Sequence, residues 1–336
     1  MGLLKQAKTL KDGVRGAYDV KRRRLRTVAI LVTDRCMSRC RHCFIWNKKD
    51  NHDLDPEVIR RQILESDVIS KDTYFELTGG EFLDHPRYRE ILALFSEGGY
   101  DYMMLTNGMY PDQAIEAVRD YKVPNLYMSL DGLGETYRKV RGVDCADNVV
   151  RIIDELKDEV PIYLGYTICP WNSVEDLEAV KQLCEEKGIE FFIGAYQNPE
   201  FFDTTKPGGK IPSEHAPYLS EFMRLHNPWM DKQVRIPCWN INTKCYIMGS
   251  GDVHLCQQKS LVLGNLHEKS MDEIWNSREV REIHRKYREC NDCWLACNRP
   301  FDAQLAHAGS SFLPTSVMNR WLGDFTWNEV HAAYRD

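Results

Sequence analysis

The chain's strongest constraint on its own fold is a strict alternation of short apolar runs with helical patterns from residue 27 to about residue 195. "TVAILVT" (27–33) reads as a buried strand, and "PEVIRRQILESDVI" (56–69) has helical spacing. "TYFEL" (73–77) is the second strand, followed by a helix at about 86–97. "YDYMMLT" (100–106) precedes a helix at about 112–120, and "NLYMSL" (125–130) precedes one at about 146–158. "PIYLGYTI" (161–168), the helix "VEDLEAVKQLCEEKG" (174–188) and the sixth strand "IEFFIGAY" (189–196) complete the series. Six strand–helix steps in a row require a parallel sheet with right-handed crossovers. Such a sheet is either doubly wound or curled into a barrel, and periodicity alone fits both.

The chemically distinctive residues all follow strands. "CMSRCRHC" (36–43) follows the first, "TGGE" (78–81) the second, "TNG" (106–108) the third and "SLDG" (129–132) the fourth. Cys169 ends the fifth strand and Gln197 the sixth. This is the carboxyl edge, where parallel α/β sheets build their sites. A glycine turn after a single strand is ordinary loop chemistry; their concurrence on one edge favours a site.

Nine of the twelve cysteines fall in two regions, 36–43 and 238–297, while Cys145, Cys169 and Cys184 stand alone. The start of the chain lacks the uninterrupted apolar core of a signal peptide. A reduced, cytoplasmic protein is therefore expected, in which clustered cysteines bind metal or do chemistry. The net charge of -6 argues against bulk nucleic-acid binding, and no apolar run is long enough for an integral membrane span. Residues 1–26 form a basic, mildly amphipathic extension that reads as a solvated helix. Cys36, Cys40 and Cys43 are spaced to hold three corners of a cubane iron–sulfur cluster, leaving one iron open. The alternative chemistry is a zinc site completed by His42 or His52.

With these motifs in this order, the chain resembles the radical S-adenosylmethionine (SAM) superfamily over about residues 27–197. The resemblance rests on "CMSRCRHC", "GGE", "TNG", and "SLDG" with "VRG" (140–142). It implies a partial (β/α)6 barrel over 27–212 in which Cys36, Cys40 and Cys43 ligate a [4Fe–4S] cluster. SAM would chelate the open iron through its amino and carboxylate groups and be cleaved to a 5′-deoxyadenosyl radical. Gly79, Gly80 and Glu81 would then accept from the methionine ammonium, by backbone and carboxylate; the alternative is a turn with Glu81 exposed. Asn107 would bond a ribose hydroxyl, or be a left-handed turn residue before Gly108. Ser129 would contact methionine or ribose, and Arg141 would clamp the SAM carboxylate or lie at the surface. Asp131 would cap the following turn, and Phe44 would pack on adenine or fill the underside of the loop.

The second region reads Cys238-x6-Cys245-x10-Cys256, then Cys290-x2-Cys293-x3-Cys297. With "LGNLHEKSMDEIWNS" (263–277) between, it looks like the SPASM and twitch extensions of that superfamily, which carry auxiliary clusters. The expected second domain spans 213–310, with a helix at about 213–225, a hairpin around Gly249–Gly251, a charged helix over 270–289, and a tail over 311–336. The pattern has six cysteines and implies one auxiliary [4Fe–4S] cluster. Cys238 and Cys256 are common to both family patterns; twitch logic adds Cys290 and Cys293, whereas SPASM logic adds Cys245 and Cys297. A zinc ribbon also fits the spacing.

The auxiliary cluster points to a two-electron oxidation, or to an epimerisation in which a thiol such as Cys169 returns a hydrogen atom. Packing is the other reading of Cys169. The implied electron donor is a flavodoxin or ferredoxin. Peptide-modifying members of the superfamily often carry an N-terminal recognition domain, and only 26 residues precede the first strand here. The resemblance therefore implies a small-molecule substrate such as a sugar, cyclitol or nucleoside; a peptide-modifying maturase and a non-catalytic zinc-binding protein are the alternatives. Trp46, Trp171, Trp239 and Trp294 are candidates to line its pocket, or are core.

Overall fold

A computed structural model describes residues 3–48, 50–197, 208–314, 316, 317 and 320. Its chain divides into two compact units, each assembled from separated segments. The larger comprises Arg26–Gly208 and Lys244–Asn276, and the smaller Met1–Leu25, Gly209–Thr243 and Ser277–Asp336. The linear division expected at residues 26, 212 and 310 differs from this grouping chiefly over residues 244–276, which pack with the larger unit. Residues 198–207, and the expected tail from residue 321 onward, lie outside the described residues.

The larger unit carries the six expected strands: β1 (Thr27–Leu31), β2 (Tyr74–Thr78), β3 (Asp101–Thr106), β4 (Leu126–Ser129), β5 (Ile162–Ile168) and β6 (Glu190–Ala195). They lie side by side in sequential order and all pair in parallel. A doubly wound sheet would reverse order partway; sequential order with strand twist is the partial barrel. Three further strands extend the sheet beyond β1. β7 (Lys244–Ile247) pairs in parallel with β1, then β8 (Asp252–His254) and β9 (Val262–Asn265) follow antiparallel. This pairing is why residues 244–276 join the barrel unit, although the cysteine spacing groups them with the second domain. The expected hairpin is β7–β8, closed by Gly251 N–H donating to Met248 O at 2.9 Å.

Helices cover the outer face. The first, α2 (Pro56–Val58), continues as a π turn, Ile59–Leu64. It stops short of the expected residue 69 because the Asp272 carboxylate accepts the Asp67 and Val68 N–H groups, at 2.8 and 2.9 Å. The others are α3 (Tyr88–Glu97), α4 (Pro111–Tyr121), α5 (Gly134–Arg141), α6 (Ala146–Leu156) and α7 (Val174–Lys187). Val149, Ile152, Ile153 and Leu156 bury one stripe of α6 at helical spacing. Ser173 and Asp176 form a capping box that starts α7. The sequence reading omitted α5 because its apolar content is slight. Its end presents "VRG".

In the smaller unit, α1 (Leu3–Arg22) packs along α12 (Pro300–Phe312), so the extension is a helix but not a freely solvated one. The helix expected over 213–225 is broken by Pro217 into a 3-10 turn, Ser213–Tyr218, and the short helices α8 (Glu221–Arg224) and α9 (His226–Met230). The charged helix expected over 270–289 is likewise two helices. The first, α10 (Met271–Trp275), belongs to the barrel unit, and the second, α11 (Arg278–Lys286), to the smaller one. Ser277 separates them by accepting from Val280 N–H at 3.1 Å, a fresh N-cap. Phe222 stacks on Trp294 at 5.1 Å in the core of the smaller unit.

Candidate active site

The cysteine triplet sits on the long loop between β1 and α2. The loop is pinned at its root, where Thr33 Oγ1 donates to Asp53 Oδ1 at 2.6 Å and Leu54 N–H donates to Val32 O at 2.8 Å. Buried Asp34 accepts from Lys48 Nζ at 3.1 Å and faces His52 Nδ1 at 3.0 Å. The family motifs hold the rest of the loop through backbone. Arg39 and Arg41 N–H donate to the carbonyls of Arg141 and Val140, each at 2.9 Å, so "VRG" is a seat for the loop. Gly142 turns there at φ +70°, where a Cβ would lie 2.6 Å from that of Arg39. On the opposite side Gly80 has even less room: a Cβ would lie 2.2 Å from Arg35 O and 2.9 Å from the Cys36 Cβ.

Cys36 and Cys43 rest on a small core of Ala29, Leu31, Ile45, Tyr246 and Met248, which also carries Cys256. Asn107 Nδ2 donates to Ser38 Oγ at 3.0 Å and approaches Cys36 Sγ at 3.8 Å. Arg141 Nη1 approaches Cys40 Sγ at 3.7 Å. Its Nε lies 2.6 Å from Asp131 Oδ2, an ion pair off the line of a hydrogen bond, with Asp131 fully buried. Burial and then the neighbouring Cys40 push the Cys36 and Cys43 thiols up to about 12. Burial raises the Cys40 thiol as well, opposed by Arg141. One buried and two half-buried thiols that resist ionisation together, each with an N–H donor or a shared cation nearby, suit a multiply charged metal centre.

The donor set fits a cubane better than a zinc ion. His42 faces Asp131 at 3.9 Å, and burial lowers its pKa to about 4; His52 is engaged by Asp34. Among the described residues, no three His, Cys, Asp or Glu side chains converge on a single ion. A cubane asks for less convergence, because each thiolate binds a different iron.

Several expected contacts take another form. The Glu81 carboxylate is almost fully buried and accepts from Asn107 N–H at 2.7 Å, Thr106 Oγ1 at 2.8 Å and Leu83 N–H at 3.2 Å. It is not exposed; it ties the β2 edge to the β3 edge. Asn107 spends its amide on Ser38 and Cys36, and its Oδ1 accepts from Met109 N–H at 2.9 Å. Arg141 is a buried partner of Asp131, not a surface residue. The Asp131 carboxylate takes other partners than the turn it was expected to cap: its Oδ1 accepts from Thr167 N–H at 2.7 Å and its Oδ2 pairs with Arg141. Phe44 lies edge-on to Trp46 at 5.6 Å, while Ser129 is half-buried at the end of β4, in register with Gly165. Cys169 packs against Val140, Tyr196 and Trp171, and burial pushes its thiol up to about 12. Trp46 Nε1 donates to Cys40 O at 3.3 Å, whereas Trp239 and Trp294 are core.

In the smaller unit, Cys238 N–H donates to Cys290 O at 2.7 Å. Burial holds the Cys238 thiol well above its ordinary pKa, followed by the effect of Asp302, with Cys293 and Cys290 also nearby. Cys297 of the same unit is exposed. Cys245 and Cys256 belong to the barrel unit. Cys245 is a fully buried sheet residue, in register with Val28 of β1. The sequence reading missed Arg299 and Asp302, both fully buried beside Cys238. Their signal was a charged pair one helical turn apart just after the last cysteine.

The sequence matches the Radical SAM superfamily over residues 30–184 and the SPASM iron-sulfur cluster-binding domain over residues 238–294. The AdoMet-dependent heme synthase of Methanosarcina barkeri is 24% identical over 301 residues, spanning 79% of this chain and 85% of that protein. The GTP 3',8-cyclase of Campylobacter fetus is 27% identical over 199 residues, 51% of this chain and little more than half, 57%, of the cyclase. Among solved structures, Streptococcus suis SuiB bound to S-adenosylmethionine superposes with a TM-score of 0.64 at 16% identity, covering 81% of this chain and 71% of SuiB. Native anSMEcpe with bound AdoMet superposes with a TM-score of 0.58 at 15% identity, covering 91% and 99%. Among the described residues, no helix is long and apolar enough to cross a membrane. A partial barrel bearing the cysteine loop, with cysteines of a second kind beyond it, identifies this chain as a radical SAM superfamily enzyme with a SPASM iron–sulfur domain, using [4Fe–4S] clusters and SAM.

Proposed function

We propose that the enzyme removes two electrons and two hydrogens from a carbon centre of a small molecule such as a sugar, cyclitol or nucleoside. The observation that carries this reading is the presence of two separate groups of buried and half-buried thiols, Cys36, Cys40 and Cys43 in one unit and Cys238, Cys290 and Cys293 in the other. Cys36, Cys40 and Cys43 would hold the first cluster, which with SAM would supply a 5′-deoxyadenosyl radical able to take a hydrogen atom from the substrate. The substrate then loses one further electron and a proton, and the auxiliary centre gives that electron a destination.

The residues divide this work. Asn107 and Arg141 orient the Cys36 and Cys40 sulfurs. Glu81 fixes Asn107, and Asp131 fixes Arg141. With the Glu81 carboxylate committed to the fold, the backbone carbonyls of Gly79 and Gly80 are left to accept from the methionine ammonium. Ser129 and Phe44 are assigned to the ribose and adenine. Cys238, Cys290 and Cys293 ligate the auxiliary cluster, and Cys245 is left out of the set as a sheet-core residue. Iron lost on Cys256→Ala against Cys297→Ala identifies the fourth ligand. Cys169 is enclosed by packing, which supports oxidation over epimerisation. The names of the curated relatives, a heme synthase and a GTP cyclase, support a small molecule. The enzyme is assigned to the cytoplasm, with a flavodoxin or ferredoxin as electron donor.

Purified without oxygen, the protein should bind roughly eight irons, four per cubane. It should release 5′-deoxyadenosine with dithionite and SAM, and Cys40→Ala should abolish that release. Release that persists in the variant rules out the triplet as the initiating site. Turnover in heavy water separates the two outcomes: an oxidation leaves a product two hydrogens lighter. A product with one solvent deuterium at an inverted carbon, lost in Cys169→Ala, overturns the oxidation.

A further inference from the structure

Both cysteine groups contain the same arrangement. Beside Cys40 stands the buried pair Arg141–Asp131, and beside Cys238 the buried pair Arg299–Asp302. The second pair is the more enclosed, since neither side chain of it reaches solvent. Arg299 Nη1 lies 3.2 Å from Asp302 Oδ2. Asp302 Oδ1 accepts the N–H groups of Trp239 and Asn240, both at 2.9 Å, the two residues that follow Cys238. Arg299 Nη2 donates to Ile236 O, two residues before Cys238, and lies 3.3 Å from the Asn291 side-chain oxygen, between Cys290 and Cys293. Its guanidinium also sits 5.3 Å from the centre of the Trp294 ring. The pair therefore grips the chain on both sides of Cys238 and within the Cys290–Cys293 loop.

A buried ion pair gives little net stability over apolar packing, because removing both charges from water is costly. Its presence next to thiolates calls for another reason. A buried guanidinium also seeks acceptors for all its N–H groups, and Arg299 Nε and Nη1 have none by hydrogen-bond geometry, although Nη1 has its ion pair. Sulfur-bearing anions supply such acceptors. We infer that Arg299 and Asp302 set the reduction potential of the auxiliary cluster in opposite directions. The inference rests on the proposed ligation of that cluster by Cys238, Cys290 and Cys293. Reduction adds one negative charge to the cluster. A fixed cation beside Cys238 favours the reduced form, and a fixed anion disfavours it. Arg299 is thus the residue that makes the cluster an acceptor for the substrate's electron, and Asp302 holds it in place while limiting the effect. Both are positioning residues, acting through the cluster.

The test uses the full chain carrying Cys36→Ala, Cys40→Ala and Cys43→Ala, so that only the auxiliary cluster gives an EPR signal during a redox titration. Arg299→Gln should lower the midpoint potential and Asp302→Asn should raise it. Each shift should be about tenfold in the ratio of oxidised to reduced cluster at fixed potential, or about 59 mV for one electron. Asparagine keeps an oxygen for the Trp239 and Asn240 N–H groups, so Asp302→Asn tests charge with the backbone contacts preserved. Arg299→Lys keeps the charge and should restore most of the potential lost in Arg299→Gln. Shifts of the same sign, no shift, or loss of auxiliary iron from both Asp302→Asn and Arg299→Lys overturns the inference; iron loss would assign the pair to cluster assembly. Absence of auxiliary iron before any change at Arg299 or Asp302, and from the wild type, is a different failure, that of the ligation itself.

Discussion

Gly80→Ala gives the sharpest test of how the cysteine loop is held. The added Cβ would lie 2.2 Å from Arg35 O, 2.7 Å from Arg35 C and 2.9 Å from the Cys36 Cβ. The two closest contacts are backbone atoms, with no flexible side-chain end to move aside. The loop root must retreat by about 1 Å to restore ordinary contact distances, an overpacking that costs about 1–3 kcal/mol. That retreat also strains two hydrogen bonds, Gly80 N–H to Thr33 O at 2.7 Å and Glu81 N–H to Arg35 O at 2.8 Å. Each adds about 1 kcal/mol when lost. The total is about 3–5 kcal/mol with both bonds lost, concentrated on the residue next to the first thiol. Gly80→Ala should therefore lower the thermal midpoint of the apoprotein by several degrees, lose about half the bound iron, and release little 5′-deoxyadenosine. Gly209→Ala is the control, because a Cβ there meets nothing within 4 Å. The assays are differential scanning calorimetry, iron and sulfide analysis, and chromatography of the nucleoside. If Gly80→Ala matches Gly209→Ala in all three, the glycine is not needed for close approach and the steric account of this motif is wrong.

Two further outcomes follow from the buried charges of the barrel unit. Burial raises the Glu81 pKa from the ordinary 4.5 to about 7, against the hydrogen bonds it accepts. The folded state therefore holds this proton more tightly than the unfolded chain, so the stabilisation is complete below about pH 4.5 and is lost as pH rises through about 7, at no more than about 1.4 kcal/mol per pH unit. Urea midpoints of the apoprotein at pH 5, 6 and 7 should fall more steeply with pH in the wild type than in Glu81→Gln; parallel profiles would contradict this. Arg141→Leu leaves Asp131 buried without its cation and should cost the apoprotein about 3–5 kcal/mol. The double variant Asp131→Leu, Arg141→Leu should recover a substantial part of that loss in the same urea assay, and equal loss in both would show that the pair is not coupled.

Periodicity and spacing determined much of this protein. The six strands fall within a residue or two of their expected positions, because a parallel strand covered by helices leaves a short unbroken apolar run. The order of the cysteine, glycine and asparagine motifs along the chain located the site, since each follows a strand and all strands point the same way. What remained beyond the sequence were the relations that depend on which segments meet. "GGE", "TNG" and "VRG" were legible as site motifs, but Glu81, Asn107 and Arg141 turn inward to hold the cysteine loop, a choice made by burial and by donors on other strands. Cys245 carries the same spacing signal as its neighbours, and only the pairing of β7 with β1 makes it a sheet residue. Arg299 and Asp302 look like ordinary surface charges in a polar stretch until the fold buries them both beside Cys238. Local pattern reports which face of an element is apolar; the partner that a polar group finds once it is buried is a long-range fact, settled when the chain closes on itself.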